Sequence, residues 1–217
     1  MGAWGFLTNH AHALVQVARN PRSTVREIAL ASGITERATI GVLNDLRRAG
    51  ILRTERDGRQ NVNDVDLAAL ARHRPWGASQ MEIPDSLIDA TLRGLSQIAG
   101  GSPSVNGSPA NAEPPNRRWG FLTTHALCLI YVTQHAHSTV REISQAVGIT
   151  ERATHVMLRD LRESGIIAQE RSGRRNSYSV NFADLASFRR EGTAPDLVPD
   201  AFVAALMKAL LALQPAV

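Results

Sequence analysis

The chain has 217 residues, 43% of them apolar, with 24 basic against 20 acidic side chains; this balance fits one large globular domain or two of about 100 residues and argues against disorder throughout. The single cysteine, Cys128, cannot form an internal disulfide, and no cysteine and histidine spacing matches a zinc site, so a reducing, cytoplasmic setting without a metal is expected. The N-terminus carries no basic segment ahead of an apolar one, which argues against a signal peptide.

The first predicted helix begins near Thr8, with Leu7, Ala11, Leu14, Val15 and Ala18 on one stripe. Downstream, Thr24 and Glu27 have the spacing of a capping box before a short helix that ends near Gly33. The next helix opens on Thr35, places Glu36 at the positive end of its dipole and closes on Gly50. Ala38, Val42, Leu43 and Leu46 fall on its apolar side, and Arg37, Thr39, Asn44 and Arg47 on the side expected to meet water. The stretch from Ile51 to Arg56 alternates, Asp57-Gly58 suits a two-residue hairpin turn, and Arg56, Arg59 and Gln60 surround the tip. All basic residues but Lys208 are arginine, so their number says little and their placement matters more. Residues 47 to 60 hold five arginines against two acids, whereas residues 1 to 98 hold twelve against ten. The positive excess therefore sits on the helix end and the hairpin, as a phosphate-contacting surface requires.

The same text then returns. Trp4-Gly5-Phe6-Leu7-Thr8 recurs as Trp119-Gly120-Phe121-Leu122-Thr123, and an offset of 115 holds without gaps to Leu70 and Leu185, with 37 identities in 67 positions. Similarity of this kind predicts two copies of one fold. Leu122, Ala126, Leu129, Ile130 and Thr133 repeat the first stripe, and Cys128 stands where Ala13 stands, as a small buried thiol. His10 and His125 match, which helix packing explains better than chemistry; His135 and His137 have Asn20 and Arg22 as counterparts, against a metal role. Ile83-Pro84-Asp85 and Val198-Pro199-Asp200 each open an apolar trailing helix, over 86–98 and 201–213. The second is apolar nearly all round except at Lys208, too short to span a bilayer, and the two are expected to pack on each other. Residues 99–118, rich in Gly, Ser, Pro and Asn, read as a flexible linker spanning about 25 Å on average and holding the two units at a millimolar effective concentration.

Two helices joined by a tight glycine turn make a helix-turn-helix. With the hairpin added, each unit resembles the winged helix-turn-helix of MarR-type bacterial transcription regulators, over roughly residues 4–70 and 119–185. The resemblance implies a mainly α fold with small β-hairpin wings, arranged as tandem winged helix-turn-helix domains at 1–98 and 119–217, each ending in a packing or dimerisation helix. It implies double-stranded DNA as the partner, with helices 35–49 and 150–164 in major grooves and the wings on a minor groove or its phosphates. On this reading Arg37 and Arg152 reach base edges or phosphates, and Thr35 and Thr150 fix the backbone. Thr39, Asn44, Thr154, His155 and Arg159 complete the helix faces; Arg56, Arg59, Gln60, Arg171, Arg174 and Arg175 supply the wings, with Asn61 and Asn176 adding hydrogen bonds. One chain would then read a site that normally takes a dimer, and a homodimer of such chains stays open.

The two units differ where reading would occur. Ile40 and Gly41 face His155 and Val156; Ile40 can touch a thymine methyl, whereas Gly41 reads nothing. Asn44 stands against Arg159, and Asn63 in the first wing replaces Tyr178. The half-sites therefore need not be identical, and the first unit is expected to be the weaker reader. Two other readings stay open: a winged-helix protein-interaction module, and a sensor holding a small-molecule effector in the cleft beside the helix pair. An enzyme is not expected, because the chain has no glycine-rich phosphate loop, no nucleophile elbow and no paired-acid constellation, and no cofactor motif accompanies them.

Overall fold

The computed structural model describes residues 5–58, 60–73, 81–100, 119–172, 175–187, 193–194 and 196–214. Its first half runs through helices α1 (Asn9–Arg19), α2 (Val25–Ser32) and α3 (Glu36–Arg48), strands β1 (Leu52–Asp57) and β2 (Gln60–Val65), and helices α4 (Leu67–His73) and α5 (Asp85–Ile98). The second half takes the same order, with α6 (Thr124–Gln134), α7 (Val140–Val147), α8 (Glu151–Glu163), β3 (Ile167–Ser172), β4 (Arg175–Val180), α9 (Phe182–Ser187) and α10 (Asp200–Leu211). The fold is mostly helical, with two small antiparallel hairpins.

Local chemistry sets the helix ends. Thr8, Thr24 and Thr35 cap α1, α2 and α3, each accepting a backbone N–H three residues on, and Thr123, Thr139 and Thr150 do the same for α6, α7 and α8. Both capping boxes form: Glu27 and Glu142 accept from the backbone of Thr24 and Thr139 at 2.7 Å. Gly33 and Gly148 then adopt φ of 65° and 74°, the left-handed conformation that lets the chain leave one helix and start the next within two residues.

The interior is one continuous cluster drawn from both halves. The stripes read from the sequence on α1 and α6 are buried, and Cys128 is fully so. Three details differ from the sequence reading. On α3 it is Thr39 that points inward, with no exposed surface, while Ala38 is exposed. Asp57 pairs with Gln60, so it closes strand β1 instead of occupying the hairpin turn. Asn63 and Tyr178 are buried at the inner ends of the wings, where their N–H groups donate to the carbonyls of Pro21 at 2.7 Å and Ala136 at 2.9 Å. They seat each wing on the turn that follows α1 or α6. The short helices α4 and α9 were not anticipated; Asp66 accepts from the N–H of Ala69 at 2.7 Å, and Asn181 from those of Ala183 and Asp184.

Several contacts join the halves, among them the Ala194 N–H donating to Ala31 O at 2.9 Å and Arg19 donating to Leu197 O at 3.2 Å. The segments before α1 and α6 lie antiparallel, with Leu7 bridged to Leu122, Thr8 N–H donating to Phe121 O at 3.0 Å and Thr123 N–H donating to Phe6 O at 3.0 Å. The hydroxyls of Thr8 and Thr123 donate in the same reciprocal sense to the carbonyls of Gly120 and Gly5. Behind this junction α5 packs along α10. Phe202 packs over Gly94, where an added Cβ would stand 2.2 Å from its Cδ2, and it is itself 1% exposed. Among the described residues no helix is long and apolar enough to cross a membrane.

Because Phe202 has nowhere to retreat, Gly94→Ala should destabilise the fold by about 1–3 kcal/mol. Urea unfolding followed by circular dichroism checks this: the midpoint should fall with little change in slope.

Candidate nucleic-acid interface

Each half presents a capped helix beside an exposed hairpin. Leu43 and Leu46 of α3, and Leu158 and Leu161 of α8, are buried and hold the helices against α1 and α6. Thr39 and Thr154 add to that inner face: both are fully buried and donate their hydroxyls to the carbonyls of Thr35 and Thr150 at 3.1 Å. The two threonines expected on the reading face are thus structural, because the helix is rotated to place them under its first turn.

What remains outside is consistent between the halves. Arg37, Ile40, Gly41, Asn44 and Arg47 are exposed on α3, and Arg152, His155, Arg159 and Arg162 on α8, with Val156 half-buried. Thr35 and Thr150 are exposed; each already accepts one N–H at 3.2 Å and keeps its hydroxyl proton to donate. Arg37 and Arg152 have no partner among the described residues. Arg159 lies 3.8 Å from Glu163 and 3.7 Å from Asp160, pairs exposed enough to exchange for a better anion.

A glycine inside a helix costs about 1 kcal/mol relative to alanine, and no neighbour demands one at Gly41, where an added Cβ would meet nothing within 4 Å.

The wings carry exposed Arg56 and Arg171, and Gln60 and Asn61 are exposed beside them. Arg59 and Arg174 lie outside the described residues. Arg175 donates to the carbonyl of His137 at 3.2 Å and sits 3.7 Å from Glu142, so it braces the second wing, and Asn176 donates to the hydroxyl of Tyr178 on the same strand at 3.2 Å. In the first half the brace runs the other way: Arg22, on the turn after α1, reaches Asp57 at 2.7 Å and Gln60 at 3.4 Å. A polar groove lined by Arg22, Thr24, Arg47, Gln60 and Asn61 separates the amino end of α2, α3 and this wing.

Several contacts of residues named in the sequence were not legible there. Arg47 donates through Nε to Thr54 at 3.0 Å and through Nη1 to Asn44 at 3.2 Å, and Arg162 donates to Gln169 at 3.1 Å, so each ties its helix to the adjoining strand. His10 lies 3.3 Å from Asp45 and His125 3.2 Å from Asp160. His10 also stacks on Trp119 of the other half, with ring centroids 4.6 Å apart. The paired recurrence of His and Asp at one offset was the available signal. Burial holds both imidazoles below their usual 6.5, against the pull of the aspartates. Burial also pushes the Cys128 thiol up to about 12, which leaves it unreactive near neutrality. Among the described residues no group of three or more His, Cys, Asp or Glu side chains could hold a metal ion.

A family of winged helix-turn-helix DNA-binding domains matches residues 129–168, which run from within α6 through α7 and α8 into β3. The protein therefore carries a winged helix-turn-helix DNA-binding domain in its second half. Neither a curated protein nor a solved structure matches the chain.

For His10 and His125, unfolded imidazoles take up protons first as the pH falls through 6.5, so their contribution is present above that pH and is lost as it drops toward the lower folded values. The urea midpoint should decrease between pH 7.5 and 5.5 in proportion to this uptake. A His10→Gln, His125→Gln double variant should show a shallower dependence over the same interval.

Proposed function

We propose that the protein is a sequence-specific, double-stranded DNA-binding transcriptional regulator of MarR-like type, in which two tandem units, 1–98 and 119–217, joined by the linker 99–118, act as a pseudo-dimer within one chain. The supporting observation is the reciprocal junction at Leu7 and Leu122, which relates two capped, outward-facing helices by the same hydrogen bonds in both directions. A dimeric winged-helix protein needs such a relation to place two helices in successive major grooves about 34 Å apart.

In this arrangement α3 and α8 enter the major groove. Thr35 and Thr150, with the amides of their helix ends, hold phosphates, since the N-terminal N–H groups are unsatisfied and the dipole favours anions. Arg37, Arg152, His155 and Arg159 face the bases or the flanking phosphates, with Asn44 as the polar group on α3. Arg56, Arg59, Gln60 and Asn61 on the first wing, and Arg171, Arg174, Arg175 and Asn176 on the second, follow the adjoining backbone. Arg175 does so from a braced position, as Gln60 does on the first wing.

A second reading, with a small-molecule effector, draws on an apolar recess between the start of α1 and helices α9 and α10, lined by Phe6, Leu7, His12, Val203, Leu206 and Met207. A compound seated there would touch the junction that sets the spacing of α3 and α8, and would register as a ligand-dependent change in DNA affinity.

Selection of bound duplexes from a random library, with footprinting of the winner, should yield a bipartite site about one helical turn between centres and occupied by one chain. A single contiguous half-site, or no selected sequence, would overturn the reading. On the selected duplex Arg152→Ala and Arg159→Ala should each lower affinity by about tenfold or more, whereas Asn44→Ala and Arg37→Ala should cost less. Arg56→Ala and Arg171→Ala should weaken binding to all duplexes and reduce the salt slope by about 1 each.

A further inference from the structure

The faces of α3 and α8 that point outward are not chemically equivalent. On α8 the central positions are His155, exposed, and Val156, half-buried. On α3 they are Ile40, 49% exposed, and Gly41. Among the described residues only two other large hydrophobics, Leu30 and Leu211, are comparably exposed, and neither lies on α3 or α8. About half of the Ile40 surface is open to solvent, and it sits among the exposed Arg37, Asn44 and Arg47 on the outward face of α3.

Gly41 is the second, independent observation. It lies in mid-helix, where glycine weakens the structure, and there is open space at its Cβ position, so no intramolecular contact requires it. In contrast, Gly94, the other glycine inside a described helix, answers to Phe202. A glycine with no internal cause, next to an exposed isoleucine, marks a place where an outside surface comes close to the backbone.

We propose that α3 reads a thymine through its C5-methyl group, with Gly41 as the point at which the helix backbone comes nearest the duplex and Ile40 as the side chain that packs on the methyl. The inference rests on the DNA-binding reading above and specifies it. The thymine methyl is the one apolar group on the major-groove edge of the base pairs, so it is the natural partner of an exposed aliphatic side chain. Its burial gives discrimination without a hydrogen bond. With His155 and Val156 at the matching positions, α8 has neither the apolar projection nor the open backbone, so its half-site is read through polar donors and the operator is not a palindrome.

The test uses the full chain and the duplex selected from a random library. Replacing single thymines by deoxyuridine removes only the methyl. One such replacement, in the half-site under α3, should lower wild-type affinity about fourfold, the value of one buried methyl-sized group. That loss should vanish in Ile40→Ala, and replacements under α8 should have no effect. Gly41→Ala should raise the melting temperature by about 2–4 °C while lowering affinity about tenfold for the selected duplex, the opposite signs that a purely structural glycine could not produce. Deoxyuridine losses that persist in Ile40→Ala, or a Gly41→Ala protein that is stabilised and binds as well as wild type, would overturn the proposal while leaving the DNA-binding reading intact. Absence of salt-sensitive binding to every duplex would overturn both.

Discussion

Everything outward-facing in this molecule depends on the short antiparallel contact between residues 5–8 and 120–123. Thr8 and Thr123 each do two tasks there: the side chain caps the helix that follows, and both hydroxyl and N–H reach across to the other half. A helix start and a junction are thus made from the same atoms, so the direction of α1 is set relative to that of α6 at their first residues. Since α3 packs on α1 and α8 on α6, the exposed helices inherit that relation with little slack. His10 adds a second tie, joining Trp119 across the junction to Asp45 on α3. On the proposed reading, the separation of the two DNA-facing helices is decided here, far from any base.

Much of this was legible in the sequence because it is local. Threonine caps, the two capping boxes, the glycines after α2 and α7 and the apolar stripes of α1 and α6 follow from spacing and from the conformational range of single residues, and these appear where they were expected. The exposed arginines of α3, α8 and the wings were legible for the same reason. Thr39 and Thr154 were misread because composition cannot fix the rotation of a helix: a threonine can satisfy its hydroxyl on a carbonyl one turn back and then behave as an apolar residue. The seating of Asn63 and Tyr178, and the reversed braces of Arg22 and Arg175, depend on which turn each wing meets in space. No periodicity reports that.

The halves also differ in their interiors. The ion pair of the half-exposed Arg53 with the buried Asp66 has no counterpart, because the residues 115 positions on are Ala168 and Asn181. Asn181, which is exposed, makes capping bonds of the kind Asp66 makes, without a charge. Thr54 and Asn63 hydrogen-bond to each other at 2.8 Å, while Gln169, like Thr54, accepts from the arginine on the preceding helix.

The pairing of α5 with α10 is also unequal. Gly94 receives Phe202, while the residues at the same offset, Leu87 and Ala209, are intermediate in size. Two copies of α10 set against each other would bring Phe202 onto Ala209 twice, and two copies of α5 would leave the hollow at Gly94 filled only by Leu87. Lock and key have been divided between two different helices of one polypeptide, so α5 and α10 fit each other as neither would fit a copy of itself.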